Sequence, residues 1–200
     1  MELLRETVRR IILEDVCAGA TAKIQQGLDE IEKRDLYIEV EIFNNGYDIK
    51  LVNSRGGGVG QYDVSTSRLC PTYITMWTDV DSNLKGTGIG AVMYDVAIEV
   101  ATKLGNYLAC DRGTVSDEAK PMWRYYDASD DYEEFQMDTR DGDYTADTRD
   151  DCKQTIFHRD TGIPRHRPAG DYKEAFMASP FTKAYKLSLI HISEPTRHTR

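Results

Sequence analysis

Downstream of an apolar stretch ending at Val80, and just ahead of an apolar helical pattern, the chain reads Asp81-Ser82-Asn83-Leu84-Lys85-Gly86-Thr87-Gly88-Ile89-Gly90-Ala91. Glycines there let backbone come close to a ligand. The first N–H groups of the helix, unpaired and at the positive end of its dipole, point at whatever is held. The chemistry is anion binding, and a phosphate is the anion such a helix start takes most readily. Gly86, Gly88 and Ala91 also satisfy the G-x-G-x-x-A spacing of a dinucleotide loop. Asp111 lies about 20 to 25 residues on, at the end of the next strand, where a ribose ligand belongs.

The remaining candidates are side chains. Tyr125 and Tyr126 supply phenols on a predicted helix. Glu39 and Glu41 lie on the polar face of a hairpin, and Asp79 and Asp81 border the glycine loop, but none of the four stands out as a general base. Cys17, Cys70, Cys110 and Cys152 are scattered, with no CxxC spacing and no histidine at metal-ligand distance, so they read as free thiols and no metal site is expected.

The elements that must position these groups follow from hydrophobic period. Leu4, Val8, Ile11 and Ile12, then Ile24, Leu28 and Ile31, recur at spacings of three and four and predict helices over 2–33, separated near 17–21. "LYIEVEIF" and "YDIKLVN" alternate with period two around Asn45-Gly46. A type I′ turn there sets Ile42 opposite Ile49 and Val40 opposite Leu51. "RGGGVG" (55–60) reads as a strand connection rather than a phosphate loop, because no helix pattern follows it. Strands are predicted over 71–80 and 107–111, with a helix over 89–105 between them that Gly105 closes. Ser116 is the expected N-cap of a further helix; Pro121 requires that helix either to start late or to kink. From Asp127 to Asp151 eleven acidic residues face only Arg140 and Arg149, which predicts a solvated loop around a short strand at "YEEFQMD". "DTRDGDYTAD" lacks the closing glutamate of a calcium loop.

The two ligand readings of the glycine loop part at its approach. A dinucleotide fold starts its glycines where the strand ends, whereas here five residues, "DSNLK", intervene. It also needs further βαβ units, which the acidic, proline-spotted stretch 127–170 does not provide. With the spacer included, Val80 to Gly90 resembles the GCN5-related N-acetyltransferase (GNAT) superfamily, whose signature is V-x-P-x-x-(R/Q)-G-x-G-(I/L)-(G/A). Lys85 stands where that family has Arg or Gln, and Ser82 where it often has Pro.

The resemblance implies an α/β (α+β) fold, a mixed, mostly antiparallel sheet flanked by helices. It implies acetyl-CoA as co-substrate and a primary amine as acceptor. Backbone of Lys85, Gly86, Thr87, Gly88, Ile89, Gly90 and Ala91 would hold the pyrophosphate, and the strand end at Val80 the pantetheine and acetyl group. Ser116 would hydrogen-bond the cofactor. Trp123 occupies the position of the tyrosine that protonates the leaving thiolate, and an indole N–H has no accessible pKa for that task. Tyr126, three residues on along the same helix face, is the substitute, with Tyr125 behind it. The combination of "VSxxAxxxWxxY" and "SPxxKxY" (Ser179 to Tyr185) is similar to acetyltransferases associated with bacteriophage genomes. Three alternatives stay open: a non-catalytic acyl-CoA-binding or phage structural protein with a degenerate version of this fold, a dinucleotide-binding oxidoreductase, and a plain interaction module.

Composition bounds these readings. With 200 residues, 40% hydrophobic and 30% charged, the chain fits one folded domain, expected over 1–186, with N-terminal helices over 1–34 and an acidic, loop-rich segment over 127–170. The net charge of −9 argues against nucleic acid as a partner and favours a cationic acceptor by steering. No run is long enough to span a bilayer, and the N-terminus has no signal-peptide core, so no membrane partner and a cytoplasmic location are expected, in a phage-infected bacterial host on the phage reading. Residues 187–200, "LSLIHISEPTRHTR", resemble a translated sequencing-library adapter, a read-through common in metagenomic assemblies. The oligomeric state is not legible.

Overall fold

Period-two alternation becomes four consecutive antiparallel strands: β1 (Leu36–Phe43), β2 (Gly46–Asn53), β3 (Gly58–Thr66) and β4 (Thr72–Val80). The computed structural model describes residues 22–66, 72–111, 115–137, 139–140, 143–144 and 172–188. The expected first helix, Cys17, Cys70, Cys152 and most of the acidic segment and the tail lie outside these residues. Helix α1 (Ala22–Lys33) precedes β1. After β4 come α2 (Ile89–Lys103), β5 (Tyr107–Ala109), α3 (Lys120–Ala128), β6 (Tyr132–Gln136), the two-residue pair β7 (Thr139–Arg140) and β8 (Asp143–Tyr144), α4 (Tyr172–Met177), a 3-10 turn (Pro180–Thr182) and β9 (Lys183–Leu187).

Seven strands make one sheet in the order β1-β2-β3-β4-β5-β9-β6. Every pairing is antiparallel except β4 with β5, which α2 connects as a crossover. The fold is therefore the expected mixed, mostly antiparallel sheet flanked by helices. It contains a single βαβ unit among the described residues.

One face of the sheet carries Tyr47, Ile49, Leu51, Tyr62 and Val64, all buried against α2. The Tyr47 hydroxyl donates to the Ala97 carbonyl at 2.7 Å, which ties strand to helix. Sheet, α1 and the α3 segment enclose α2, so it is apolar nearly all round and even Asp95 and Glu99 are buried. Its C-terminus closes as expected: Gly105 takes φ 76, its N–H bonds Thr102, and the N–H of Asn106 bonds Ala101, a Schellman arrangement.

Two expectations need correction. In the first hairpin Phe43 pairs with Gly46 and Ile42 with Tyr47, two residues away from the expected register. Gly46 belongs to the strand because a Cβ there would lie 1.9 Å from the Val64 carbonyl oxygen of β3. The turn is Asn44-Asn45, and neither residue has the positive φ that type I′ needs. An offset of two keeps every side chain on its expected face. In α3, Ser116 caps only a preliminary turn, its Oγ accepting from the Ala119 N–H at 3.3 Å. The helix starts late, with Pro121 in its first turn.

Candidate active site

The approach to the glycine loop is built by an irregularity in β4. Opposite β3, Asp63 pairs with Trp77 but Val64 with Thr75, so Met76 is an extra residue, a β-bulge. Parallel pairing with β5 covers only Thr72, Tyr73 and Ile74 and stops one residue before the pairing shifts. From Thr75 to Val80, β4 stays paired with β3, while its other edge has no strand neighbour among the described residues. That edge offers free backbone N–H and C=O groups leading into the loop.

The loop is held from within. The Asp81 N–H bonds the Val59 carbonyl at 2.9 Å, Leu84 is buried, and its carbonyl accepts from the Thr87 hydroxyl at 2.6 Å. The first helical bond of α2 runs from the Val92 N–H to the Gly88 carbonyl. The N–H groups of Ile89, Gly90 and Ala91 therefore precede any intrahelical acceptor. Gly88, the N-cap, has no side chain to satisfy them, and the first turn holds no acidic residue.

The three glycines stand there for different reasons. Gly88 has φ 91, and a Cβ on it would come 2.2 Å from the Lys23 carbonyl oxygen; a Cβ on Gly27 would in turn come 2.5 Å from the Gly88 carbonyl. This pair lets α1 lie directly on the loop. Gly86 has φ 80, and a Cβ added there or on Gly90 would meet nothing within 4 Å among the described residues. Among the described residues, nothing thus crowds Gly90 at the uncapped helix start, which suits an anion. Among the described residues no cluster of His, Cys, Asp and Glu could hold a metal ion.

Val80 ends β4, and Lys85 to Ala91 run through the loop into the first turn of α2. Lys85 is exposed and pairs with Asp79 at 3.2 Å. Ser116 is exposed just ahead of α3. Tyr125 is half-buried. Trp123 and Tyr126 are buried in an aromatic cluster, their rings 5.7 Å apart, with Tyr94 of α2 5.8 Å from Trp123. Tyr185, from the Ser179–Tyr185 segment, packs 6.1 Å from Trp123 and 6.0 Å from Tyr126, so the two sequence stretches noted together are in contact. The Tyr126 hydroxyl is buried without a hydrogen-bond partner among the described residues, and burial, with Asp95 nearby, pushes its pKa well up. Beside the cluster, Tyr132 donates to Asp95 at 2.9 Å. Burial raises the Asp95 carboxyl to about 6 against that hydrogen bond, and Glu99 and Asp131 add to the rise.

Sequence reasoning missed Met76 and Trp77, both more than half exposed on β4. Strict alternation puts neighbouring residues on opposite faces. The bulge brings both to the surface, and only the apolar pair itself, late in a strand rich in polar residues, hinted at it.

No protein-family model matches the chain, and no curated protein does. Among solved structures, the chain is similar to an IAA acetyltransferase from Bacillus cereus ATCC 14579, at 23% identity and TM-score 0.36 over 46% of this chain and 57% of that one. It is similar to nourseothricin acetyltransferase at 18% identity and TM-score 0.35, over 46% of this chain and 67% of that one. It is also similar to an acetyltransferase of the GNAT family from Staphylococcus aureus Mu50, at 14% identity and TM-score 0.36 over 94% of each chain. The chain thus spans little more than half the length of the first of these.

Proposed function

We propose that this protein is an acyltransferase that moves an acetyl group from acetyl-CoA to a primary amine. The observation that carries the reading is the parting of β4 from β5 after Ile74 and Ala109, beside a helix start whose N–H groups are uncapped. An anionic pyrophosphate fits the backbone of Lys85 to Ala91, and an amide-bearing arm fits the free edge of β4 up to Val80. Acetyl-CoA brings both, together with the thioester to be cleaved. The amine nitrogen bonds the acetyl carbon as the carbon–sulfur bond breaks; the amine gives up a proton and the sulfur takes one. Holding amine and thioester together supplies much of the rate.

Tyr126 is the proposed donor of the proton to sulfur, with Tyr125 behind it and Ser116 as a hydrogen-bond partner for the cofactor. A buried hydroxyl without a partner is costly, and an incoming acceptor would relieve it. The same burial favours a second reading, a non-catalytic acyl-CoA binder, because Trp123 and Tyr126 are both core residues. A cytoplasmic location and a phage source belong to the proposal. Among the described residues no helix is long and apolar enough to cross a membrane.

Isothermal titration with acetyl-CoA, CoA and NAD, followed by thiol release over a panel of amines, tests this. Absence of heat with both CoA ligands overturns the reading. Binding without thiol release selects the non-catalytic alternative, and heat with NAD alone selects the dinucleotide one.

A further inference from the structure

On the sheet face turned away from α2, the pairings align polar rows across four strands, and these rows carry no helix among the described residues. Glu39, Lys50, Gln61 and Asp79 form one row; Glu41, Asp48, Asp63 and Trp77 form the next. The carboxyl of Asp48 is held above its ordinary value by partial burial and by Asp63, with Lys50 opposing and Glu41 adding. The face is strongly negative.

At its β4 end the face is not flat. A cleft of about 290 Å³ lies among Lys50, Gly58, Gln61, Trp77, Asp79 and Asp81. Gly58 leaves one side bare, since an added Cβ would meet nothing within 4 Å. Trp77, a residue 62% exposed, forms another wall. Lys50 is already engaged by Glu41 at 3.1 Å and Asp79 by Lys85 at 3.2 Å, while Asp81 has no ion-pair partner among the described residues. An open aromatic surface with two carboxylates beside it suits a cation with an apolar stem: the ring takes the charge on its face, and the acids supply Coulomb attraction and acceptors. An anion would meet Asp79, Asp81 and the acidic rows beyond.

We propose that the Trp77, Asp79 and Asp81 cleft binds the primary ammonium group of an alkyl chain. The cleft stands on its own geometry. Its role as acceptor site rests on the acyl-transfer reading, since Val80 and Asp81 line the cleft and also open the loop. The same ammonium chemistry is carried by a free small amine and by a lysine side chain.

The test uses the full chain without CoA. It has two tryptophans, and Trp123 is fully buried, so quenching of exposed tryptophan emission reports on Trp77. n-Butylammonium and α-N-acetyl-lysine methylamide are titrated, with 1-butanol as the neutral control, and calorimetry follows the variants. Saturable quenching by an ammonium but not by butanol is expected. Asp79→Asn and Asp81→Asn should each weaken binding about two- to fivefold, and Trp77→Ala similarly, with unchanged melting temperatures. Lys85→Ala should act in the opposite direction, tightening binding about twofold by releasing Asp79. Butanol binding as well as the amine, no saturable binding of either ammonium, or indifference to both Asp substitutions overturns the proposal. The tighter of the two ammonium probes identifies the source. Ammonium binding in a chain that ignores acetyl-CoA would leave this cleft standing and remove the acyl-transfer reading; the reverse result would remove the cleft alone.

Discussion

Gly90 offers a substitution in which fold stability and anion binding should move in opposite directions. It lies in the first turn of α2 with helical backbone, and beyond that helix's own backbone a Cβ on it would meet no atom of the described residues within 4 Å. Gly90→Ala therefore introduces no clash and removes freedom from the unfolded chain, a gain of about 0.5–1 kcal/mol. Gly90→Glu keeps most of that gain and adds about 0.3–1 kcal/mol from a negative charge at the positive end of the helix. For a chain of this size, both variants should melt higher, by about 2–4 °C per kcal/mol. Their effects on acetyl-CoA should separate. Alanine adds only a methyl group with no described neighbour within 4 Å, so Gly90→Ala should hold the dissociation constant within about twofold. A glutamate carboxylate about 5 Å from a bound pyrophosphate costs about 3 kcal/mol at an effective dielectric of about 20, or roughly a hundredfold in affinity. Thermal melts and isothermal titration calorimetry on the three proteins read both quantities. If Gly90→Glu binds acetyl-CoA as tightly as the parent, no anion sits at this helix start; if Gly90→Ala melts lower, the space beside Gly90 is not open.

Three further substitutions test other parts of the structure. The Asp95 carboxyl rises from its ordinary 3.8 to about 6, so the folded chain holds that proton more tightly than the unfolded one. Stability from this group is fully present below about 4 and is lost as pH rises through 6, about 3 kcal/mol in all; Asp95→Asn should flatten the pH dependence of the melting temperature over that window, and an unaltered slope would contradict it. Tyr126→Phe removes a hydroxyl with no partner and should melt no lower than the parent; acetyl-CoA affinity should hold while thiol release slows by about 10²-fold or more, and an unchanged rate would take Tyr126 out of the proton path. Gly46→Ala must displace the Val64 carbonyl of β3 and should cost about 3 kcal/mol in denaturant unfolding, whereas a turn glycine in the expected register would have cost far less.

The legible parts of this chain were those governed by local period and by residues acting on their own backbone. The strand over 72–80, the helix over 89–103, its closure by Gly105 and the following short strand fall within one or two residues of expectation. What escaped depends on contacts between elements. In the observed register of the first hairpin, the Val64 carbonyl of β3 leaves room only for glycine at position 46; the Asn45-Gly46 dipeptide carries no trace of that third strand. The start of α3 follows a balance between Ser116 and Pro121 that sequence leaves even. The bulge at Met76 leaves the apolar pair Met76-Trp77 as its one local hint. It puts Met76 and Trp77 on the surface, and it lies where β4 leaves β5.

That bulge also bears on how the glycine loop should be weighed. "GTGIGA" invites a count of glycines as a measure of phosphate binding, yet Gly88 would be required in a chain that binds nothing, because α1 rests on it through Gly27 and its φ is positive. A loss of cofactor binding in a Gly88 variant would therefore follow from displacing α1 as readily as from spoiling an anion site. The weight falls instead on features that packing alone does not require: a first helical turn with open space beside Gly90, and a strand that stays paired with β3 while abandoning β5. The "DSNLK" spacer joins the two. On the proposed acyl-transfer reading, it lets β4 finish its free edge before the backbone turns into the helix, so that an arm lying along the strand and an anion at the helix start would be consecutive parts of one ligand. A dinucleotide loop, which turns directly from strand end to glycine, has no such edge to offer.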